Sequence, residues 1–297
     1  MLKVNKLWML AALVLTSGLG VFASTSSALA TPTGEYAVFA ECPFSKLNHH
    51  GGCIYSKSQS GKVIIGKETV PVTNPIVLQG GFTENEVGED TFYGANNEAN
   101  TLSKSPQKVP GGLLGLVKCD EIVGEGKHEK EQRKSCEEIF ENKITGVNAT
   151  TELAEPASSI KLSEISYLFR EGTALSLPVK VHLENPLLGS ECYVGSNSHP
   201  IVIELTTGTT SPPSPNKPIT GSPGEEVTNS EGTILTFSNN SLVNNTFAAP
   251  ESSGCGLFGL LNGIINSRLS LPSASGHNTI VLNGELKQAT ASVVEEH

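Results

Sequence analysis

The sequence has few of the residues that several large classes of proteins depend on. It contains one tryptophan, two methionines and, among its 30 acidic residues, only the aspartates Asp90 and Asp120. Calcium-binding loops need closely spaced aspartates, so they are excluded. Only 17% of residues are charged, and the net charge is −10. Phosphate attraction is therefore not expected to draw this chain to nucleic acid or to anionic lipid.

The common catalytic and cofactor motifs are also absent. The sequence has no G-x-S-x-G nucleophile elbow, no H-E-x-x-H zinc motif and no C-x-x-C pair. Residues 61–67 match the first part of a phosphate-binding loop, but Glu68 stands where the magnesium-binding Ser or Thr would be. The residues between the two glycines are also typical of a strand. We therefore predict no cofactor, no metal site and no catalytic residue.

The first 30 residues are typical of a secretory signal peptide. Lys3 and Lys6 precede an apolar run over residues 7–23, and Ala28-Leu29-Ala30 forms a small-residue cleavage site. Cleavage after Ala30 would lower the net charge to −12 and remove the only tryptophan and both methionines. No later segment approaches the roughly 20 apolar residues that cross a bilayer. We predict a secreted mature chain without a membrane span.

Six cysteines remain after the predicted cleavage: Cys42, Cys53, Cys119, Cys136, Cys192 and Cys255. An even number in an exported chain indicates three disulfides, although six cysteines allow 15 pairings. Pairing of neighbours would give Cys42–Cys53, Cys119–Cys136 and Cys192–Cys255. Zinc binding is the alternative, and the spacings do not favour it.

Short runs of β-branched residues, separated by Gly, Pro and Asn, predict a mainly β chain. The predicted strands lie at residues 35–40, 62–66, 69–72, 75–78, 173–183, 192–194, 201–205, 232–237 and 278–283. In the clearest of them, Val179, Val181 and Leu183 share one face, while Lys180 and His182 point the other way. We predict a single β-sandwich-like domain over residues 31–297.

The remaining segments predict loops and short helices. Residues 119–145 are a charged helical insertion, and residues 162–169 are a short helix capped by Ser163, with Ile165, Leu168 and Phe169 as its apolar set. Residues 256–269 have helical spacing and are apolar enough to lie in the core. Residues 84–100 are predicted as a polar loop, and residues 206–226 as a Pro-rich loop.

The sequence contains the residue types of a catalytic site, but no local pattern brings them together. His182 lies near Glu184 in its strand, and Ser198 precedes His199 in a turn, so a serine triad would have to assemble from these. An exposed strand histidine is the expected state of His182. A glutamate pair would suffice for glycoside hydrolysis, but with 28 glutamates in the chain that observation selects no residue. The lack of tryptophan after the predicted cleavage also disfavours a sugar-binding cleft.

Two segments carry a family resemblance. Residues 173–208 (TALSLPVKVHLENPLLGSECYVGSNSHPIVIELTTG) and the region of SGCGLFGLLNGIINSRLSLPSASGHNTIVLNGEL resemble a segment repeated in uncharacterised secreted proteins of actinobacteria. The resemblance covers the C-terminal half and, more faintly, residues 33–82. It implies secretion and a cysteine-bearing β domain, and it assigns no activity and no functional residue.

The leading hypothesis is a secreted, non-catalytic protein that binds a cell-envelope component or another protein. The alternatives are an extracellular hydrolase with a Glu or Ser/His site and a surface protein that self-assembles. A concave pocket in which at least two of His182, Glu184, Ser198, His199 or another glutamate converge would favour the hydrolase.

Overall fold

The computed structural model describes residues 31–47, 51–113, 126–127, 130–131, 134 and 145–297. Residues Thr31–His297 form one compact unit. Two antiparallel sheets dominate it, and the described helices are short. The predicted fold class, mainly β and β-sandwich-like, is confirmed.

The first sheet is built around three long antiparallel strands. Its members are β1 (Gly52–Ile65), β2 (Glu68–Pro71), β3 (Ile76–Glu84), β4 (Asp90–Gly94), β11 (Glu225–Thr228), β12 (Ile234–Asn244) and β14 (Thr279–Thr290). Their order is β11-β12-β14-β1-β3-β4, and β2 pairs with the end of β1. The pairing of β1 with β14 runs over almost the full length of both strands.

The second sheet is centred on a single strand. Its members are β5 (Gln107–Lys108), β6 (Asn148–Leu153), β7 (Lys161–Leu162), β8 (Leu175–Glu184), β9 (Tyr193–Val194), β10 (Ile201–Leu205) and β13 (Ser252–Ser253). The order is β13-β9-β8-β6-β5, and both β7 and β10 also pair with β8. The strand with the clearest alternation in the sequence therefore organises this sheet.

Three short α-helices lie among the described residues: α1 (Glu164–Phe169), α2 (Asn262–Leu269) and α3 (Ala291–Glu295). Ser163 caps α1 as predicted, because its Oγ accepts a hydrogen bond from the Ser166 N–H at 3.2 Å. The predicted apolar set of α1 is exposed, however, and Tyr167 is the residue that the helix buries.

The main core lies between the two sheets. Strand alternation directs Leu177, Val179 and Ile203 inward from the second sheet, against Ile280 and Leu282 of the first. A smaller apolar cluster is built on the opposite face of the first sheet, since Cys53 and Ile54 are adjacent in β1 and belong to different clusters. Its buried members are Tyr36, Phe39, Cys42, Cys53, Ile234, Ala289, Ala291 and Val294.

Two predictions near the N-terminus were wrong. Residues 35–40 do not form a strand, because Gly34–Phe39 is a 3₁₀ helix that buries Tyr36 and Phe39. These two aromatic side chains are three residues apart, which is the repeat of a 3₁₀ helix. The predicted loop at residues 84–100 contains β4, in which Phe92 is buried between more polar neighbours.

The Pro-rich segment connects β10 with β11 and stays against the body of the protein. Isolated bridges join Thr206 to Val243 and Thr209 to Thr220. The side-chain amide of Asn216 donates to the carbonyls of Asn245 and Asn278. The segment is a loop, as its composition predicted, and its contacts with the rest of the protein are a finding of the structure.

The charged segment is described at only a few positions. Lys127, Lys130, Glu131 and Lys134 are helical and exposed. Cys119 and Cys136 lie outside the described residues, so the structure does not address their predicted pairing.

Candidate functional site

Two of the predicted disulfides form. Cys42 is bonded to Cys53 with a Cα–Cα distance of 5.4 Å, and Cys192 is bonded to Cys255 with a Cα–Cα distance of 4.1 Å. All four cysteines in the described part of the chain are therefore paired. The second bridge joins residues 63 positions apart and fixes the chain after β13 to the start of β9.

His182 has a packing role on the outer face of β8. Its ring stacks on Tyr193 with centroids 4.5 Å apart, and its Nδ1 lies 3.7 Å from Oε1 of Glu184. Thr150 donates to the same carboxylate oxygen at 2.7 Å. Only 18% of the His182 side chain is exposed, so the prediction of an exposed strand histidine was wrong. The stacking partner lies on the neighbouring strand β9, which the sequence pattern did not reveal.

Ser198 and His199 lie in an exposed turn. Ser198 Oγ is 3.0 Å from His199 Nδ1, and the turn is closed by backbone hydrogen bonds between Ser196 and His199. The cavities described below are lined by none of the residues His182, Glu184, Ser198 and His199. The geometry therefore gives no support to a serine-type site built from them.

One glutamate has a strongly perturbed acidity. Burial, reinforced by the charges of Asp90 and Glu84, raises the pKa of Glu164 to about 7. The Glu164 N–H donates to Asp90 Oδ2 at 2.7 Å, and Gln288 donates to the Glu164 carboxylate. Glu164 lines a cavity of about 90 Å³ together with apolar side chains such as Leu235. The sequence offered no signal that would separate this glutamate from the others.

Another feature lies between the sheets, where side chains from both of them line an apolar space that we call the inter-sheet cavity. It has a volume of about 70 Å³, and a neighbouring space of about 50 Å³ shares part of its lining. Shared lining residues are Val63, Ile65, Ile76, Thr151 and Val181. The two spaces therefore form one apolar region inside the sandwich.

Strand register explains why these side chains meet. In the second sheet, Thr151 of β6 and Val194 of β9 both pair with Val181 of β8. In the first sheet, Val63 pairs with Val70 in the β1–β2 hairpin. Directly paired residues of antiparallel strands share a face, so each sheet presents a row of short branched side chains to the other.

The inter-sheet cavity is not fully closed. Val63, Ile65, Val70, Ile76 and Val181 point inward but remain only half-buried. Apolar surface left in contact with water costs about 25 cal/mol per Å². An apolar molecule that covered these side chains would remove that cost.

Three polar side chains border the inter-sheet cavity: Thr151, Gln107 and Glu68. Gln107 is buried, and its Oε1 accepts hydrogen bonds from the backbone N–H groups of Thr73 and Asn74 at 2.8 and 3.0 Å. Its amide is therefore used to hold the loop after β2. Glu68 pairs with Ile65 and so faces the same side, where burial raises the pKa of its carboxyl. Glu68 is the ionisable side chain in the cavity lining.

A second apolar feature is on the surface. We call residues 256–264 the apolar loop; they comprise a loop and the first residues of α2. The segment exposes Leu257 (72%), Phe258 (94%), Leu260 (74%) and Ile264 (47%). The prediction that residues 256–269 form one core helix was therefore wrong. Gly256 and Gly259 have positive φ values and interrupt the helix, so that α2 begins only at Asn262.

The apolar loop is held at both ends. Cys255 is disulfide-bonded, and its N–H donates to Asn262 Oδ1 at 2.8 Å. The Gly256 N–H donates to the Leu188 carbonyl at 2.7 Å, and the Leu261 N–H donates to the Cys255 carbonyl at 3.0 Å. These contacts fix the base of the loop while its large side chains remain in solvent.

The described residues hold no group of three or more His, Cys, Asp or Glu side chains arranged to bind a metal ion. Among the same residues, no helix is both long and apolar enough to cross a membrane. Comparison of the chain with protein-family models, with curated proteins and with solved structures finds no match.

Proposed function

We propose that the protein is exported, loses residues 1–30, and acts outside the cell as a non-catalytic binding protein that holds an apolar ligand in the inter-sheet cavity. The observation that carries this proposal is the row of inward-facing but half-buried aliphatic side chains between the sheets. Binding sites for small molecules are typically concave and mainly apolar with few polar groups, and this cavity has that composition.

The covalent structure supports the extracellular part of the proposal. Disulfides persist in oxidising compartments and are rare in the cytosol. The bonds Cys42–Cys53 and Cys192–Cys255 are consistent with an extracellular protein. The acidic net charge, which is −10 for the full sequence and −12 without residues 1–30, would keep such a protein in solution among anionic surfaces. A component of the cell envelope is the partner that we propose as the source of the ligand.

The test is saturable binding of a soluble fluorescent fatty acid that carries a dansyl group. Val181→Phe places a ring in the inter-sheet cavity, whereas Val202→Phe makes the same change at an exposed position of β10. We expect Val181→Phe to weaken binding at least tenfold and Val202→Phe to leave it unchanged. Ala149→Val, a smaller change in the same lining, should weaken binding without threatening the fold.

Three results would contradict the proposed function. One is a wild-type protein that shows no saturable probe binding. Another is an equal effect of Val181→Phe and Val202→Phe while both variants unfold near the wild-type temperature. The third is full binding by both cavity variants.

A hydrolase remains the second candidate because of Glu164. A carboxyl with a pKa of about 7 beside a cavity has the acidity expected of a general acid. This candidate requires turnover of a polysaccharide or an ester that Glu164→Gln abolishes. Turnover that survives this substitution would remove Glu164 from consideration.

A further inference from the structure

The apolar loop differs from the rest of the surface in charge as well as in hydrophobicity. Residues 252–267 contain no Asp, Glu, Lys or Arg, although the whole chain carries 50 such residues. Leu257, Phe258 and Leu260 project from this uncharged segment into solvent. A surface that accepts these side chains must be apolar in its interior and must not depend on charge for recognition.

The size of the apolar loop favours a lipid surface over a protein partner. Its four exposed side chains offer on the order of 500 Å² at most. A stable protein–protein interface buries about 800 Å² on each partner. Insertion of large apolar side chains into the interfacial region of a bilayer needs no matching surface, and each buried side chain contributes about 1.5–3 kcal/mol.

The absence of basic residues also selects the kind of lipid. Anionic membranes attract proteins through Lys and Arg side chains near the surface. The apolar loop has none, and the chain as a whole is acidic. A zwitterionic bilayer therefore fits this surface, and an anionic one would repel the protein.

Helix α2 joins the apolar loop to the inter-sheet cavity. Ile264 in its first half is exposed, Ile265 is 2% exposed within the core, and Leu269 at its end lines the cavity. Eight residues of α-helix span about 12 Å. The Lys67 N–H also donates to the Leu269 carbonyl at 3.1 Å, so the hairpin that carries Glu68 is fixed to the end of α2.

We propose that the apolar loop inserts into the surface of a zwitterionic bilayer and that the ligand of the inter-sheet cavity is an acyl chain taken up from that bilayer. The second half rests on the proposed function, since it names the chemical class of the cavity's ligand. The cavity lining fits an acyl chain because most of it is made of aliphatic side chains. No aromatic ring lines the cavity itself, and Phe247 is the aromatic side chain that lines the neighbouring space.

Sedimentation with phosphatidylcholine vesicles tests the first half. Phe258→Ser removes the most exposed ring of the apolar loop, and Phe169→Ser removes a ring of α1 that is 73% exposed. We expect Phe258→Ser to lower the vesicle-bound fraction at least fivefold and Phe169→Ser to leave it unchanged. Replacing a third of the lipid by phosphatidylglycerol should lower wild-type binding.

Uptake of a fluorescently labelled phospholipid from the same vesicles tests the second half. We expect the wild-type protein, recovered free of vesicles, to carry the labelled lipid. Val181→Phe should bind vesicles normally and carry no lipid. Phe258→Ser should take up lipid slowly while still binding the soluble dansyl fatty acid with wild-type affinity.

The outcomes separate this proposal from the proposed function. Vesicle binding that is absent in the wild type, or equally lost in Phe258→Ser and Phe169→Ser, overturns docking by the apolar loop. Binding of the soluble fatty acid without uptake from vesicles overturns the bilayer as the source of the ligand, while the proposed function stands. Vesicle binding without any ligand in the cavity overturns both the acyl chain and the proposed function.

Discussion

At the scale of single residues, Phe258 has an unfavourable backbone conformation that no burial of its side chain offsets. Its φ of +55° lies in the left-handed region, which costs a residue with a side chain about 1–2 kcal/mol. Its ring is 94% exposed and gains almost nothing from burial. A residue that destabilises the folded chain without packing in it is consistent with a role in binding.

Replacement of this residue should separate stability from binding. We expect Phe258→Gly to raise the free energy of unfolding by about 0.5–1 kcal/mol, because glycine adopts positive φ without a Cβ clash. Urea unfolding measures this change, and vesicle sedimentation should show a bound fraction at least fivefold lower. Asn239 has a φ of +56°, and asparagine tolerates this region, so Asn239→Gly should change stability much less. A destabilised Phe258→Gly would contradict the assignment of strain.

Glu164 should make stability depend on pH. Its pKa is raised from 4.5 to about 7 in the folded state, so the folded chain holds a proton that the unfolded chain has already lost in this interval. The free energy of unfolding should therefore be highest below pH 4.5 with respect to this group and should fall as the pH rises to about 7. We expect a loss of roughly 2 kcal/mol, less than the full shift implies because the carboxyl is partly solvated.

Thermal unfolding between pH 4 and pH 8 tests this dependence. Glu164→Gln should flatten the profile and stabilise the protein above pH 7, whereas the exposed Glu171→Gln should leave the profile unchanged. The raised pKa of Asp90 acts in the same direction, so part of the slope should remain in Glu164→Gln. Stability that rises from pH 5 to pH 7 because of Glu164 would be inconsistent with its burial.

At the scale of elements, the sequence predicted a strand or helix correctly where the residue pattern of the segment allows only one conformation. The alternation of Val179, Val181 and Leu183 specified β8 correctly, because period two fixes both the strand and its faces. The segment after Cys255 has helical spacing, yet Gly256 and Gly259 adopt positive φ and divide it. Glycine permits both conformations, so the spacing alone could not show which one the fold selects.

The two disulfides should contribute unequally to the free energy of unfolding. Bonds that close longer loops restrict the unfolded chain more, so loss of Cys192–Cys255 should cost about 4 kcal/mol and loss of Cys42–Cys53 about 3 kcal/mol. The sequence separations are 63 and 11 residues. Urea unfolding of the paired Cys→Ala variants measures both. Vesicle sedimentation should fail only for the first pair, since that bond holds the base of the apolar loop.

At the scale of the whole molecule, the short β-branched runs predicted the fold class, and pairing of neighbouring cysteines predicted the two disulfides among the described residues. The sequence could not predict the inter-sheet cavity, because the lining joins residues from β1, β2, β6, β8 and β9 that are distant in the sequence. The raised pKa of Glu164 could not be predicted either, because it depends on burial and on the charges of Asp90 and Glu84. Patterns within a segment identify strands, whereas sites of this kind depend on how strands from two sheets face each other.

The two ends of the compact unit meet on the outer face of the first sheet. The Thr33 N–H donates to the His297 carbonyl at 3.2 Å, and the rings of Tyr36 and His297 stack with centroids 4.1 Å apart. A short peptide could join residue 297 to residue 33, and the chain could be reopened in the Pro-rich loop. Such a circular permutant would keep every strand pairing, so the order in which the elements are synthesised is separable from the architecture that they form.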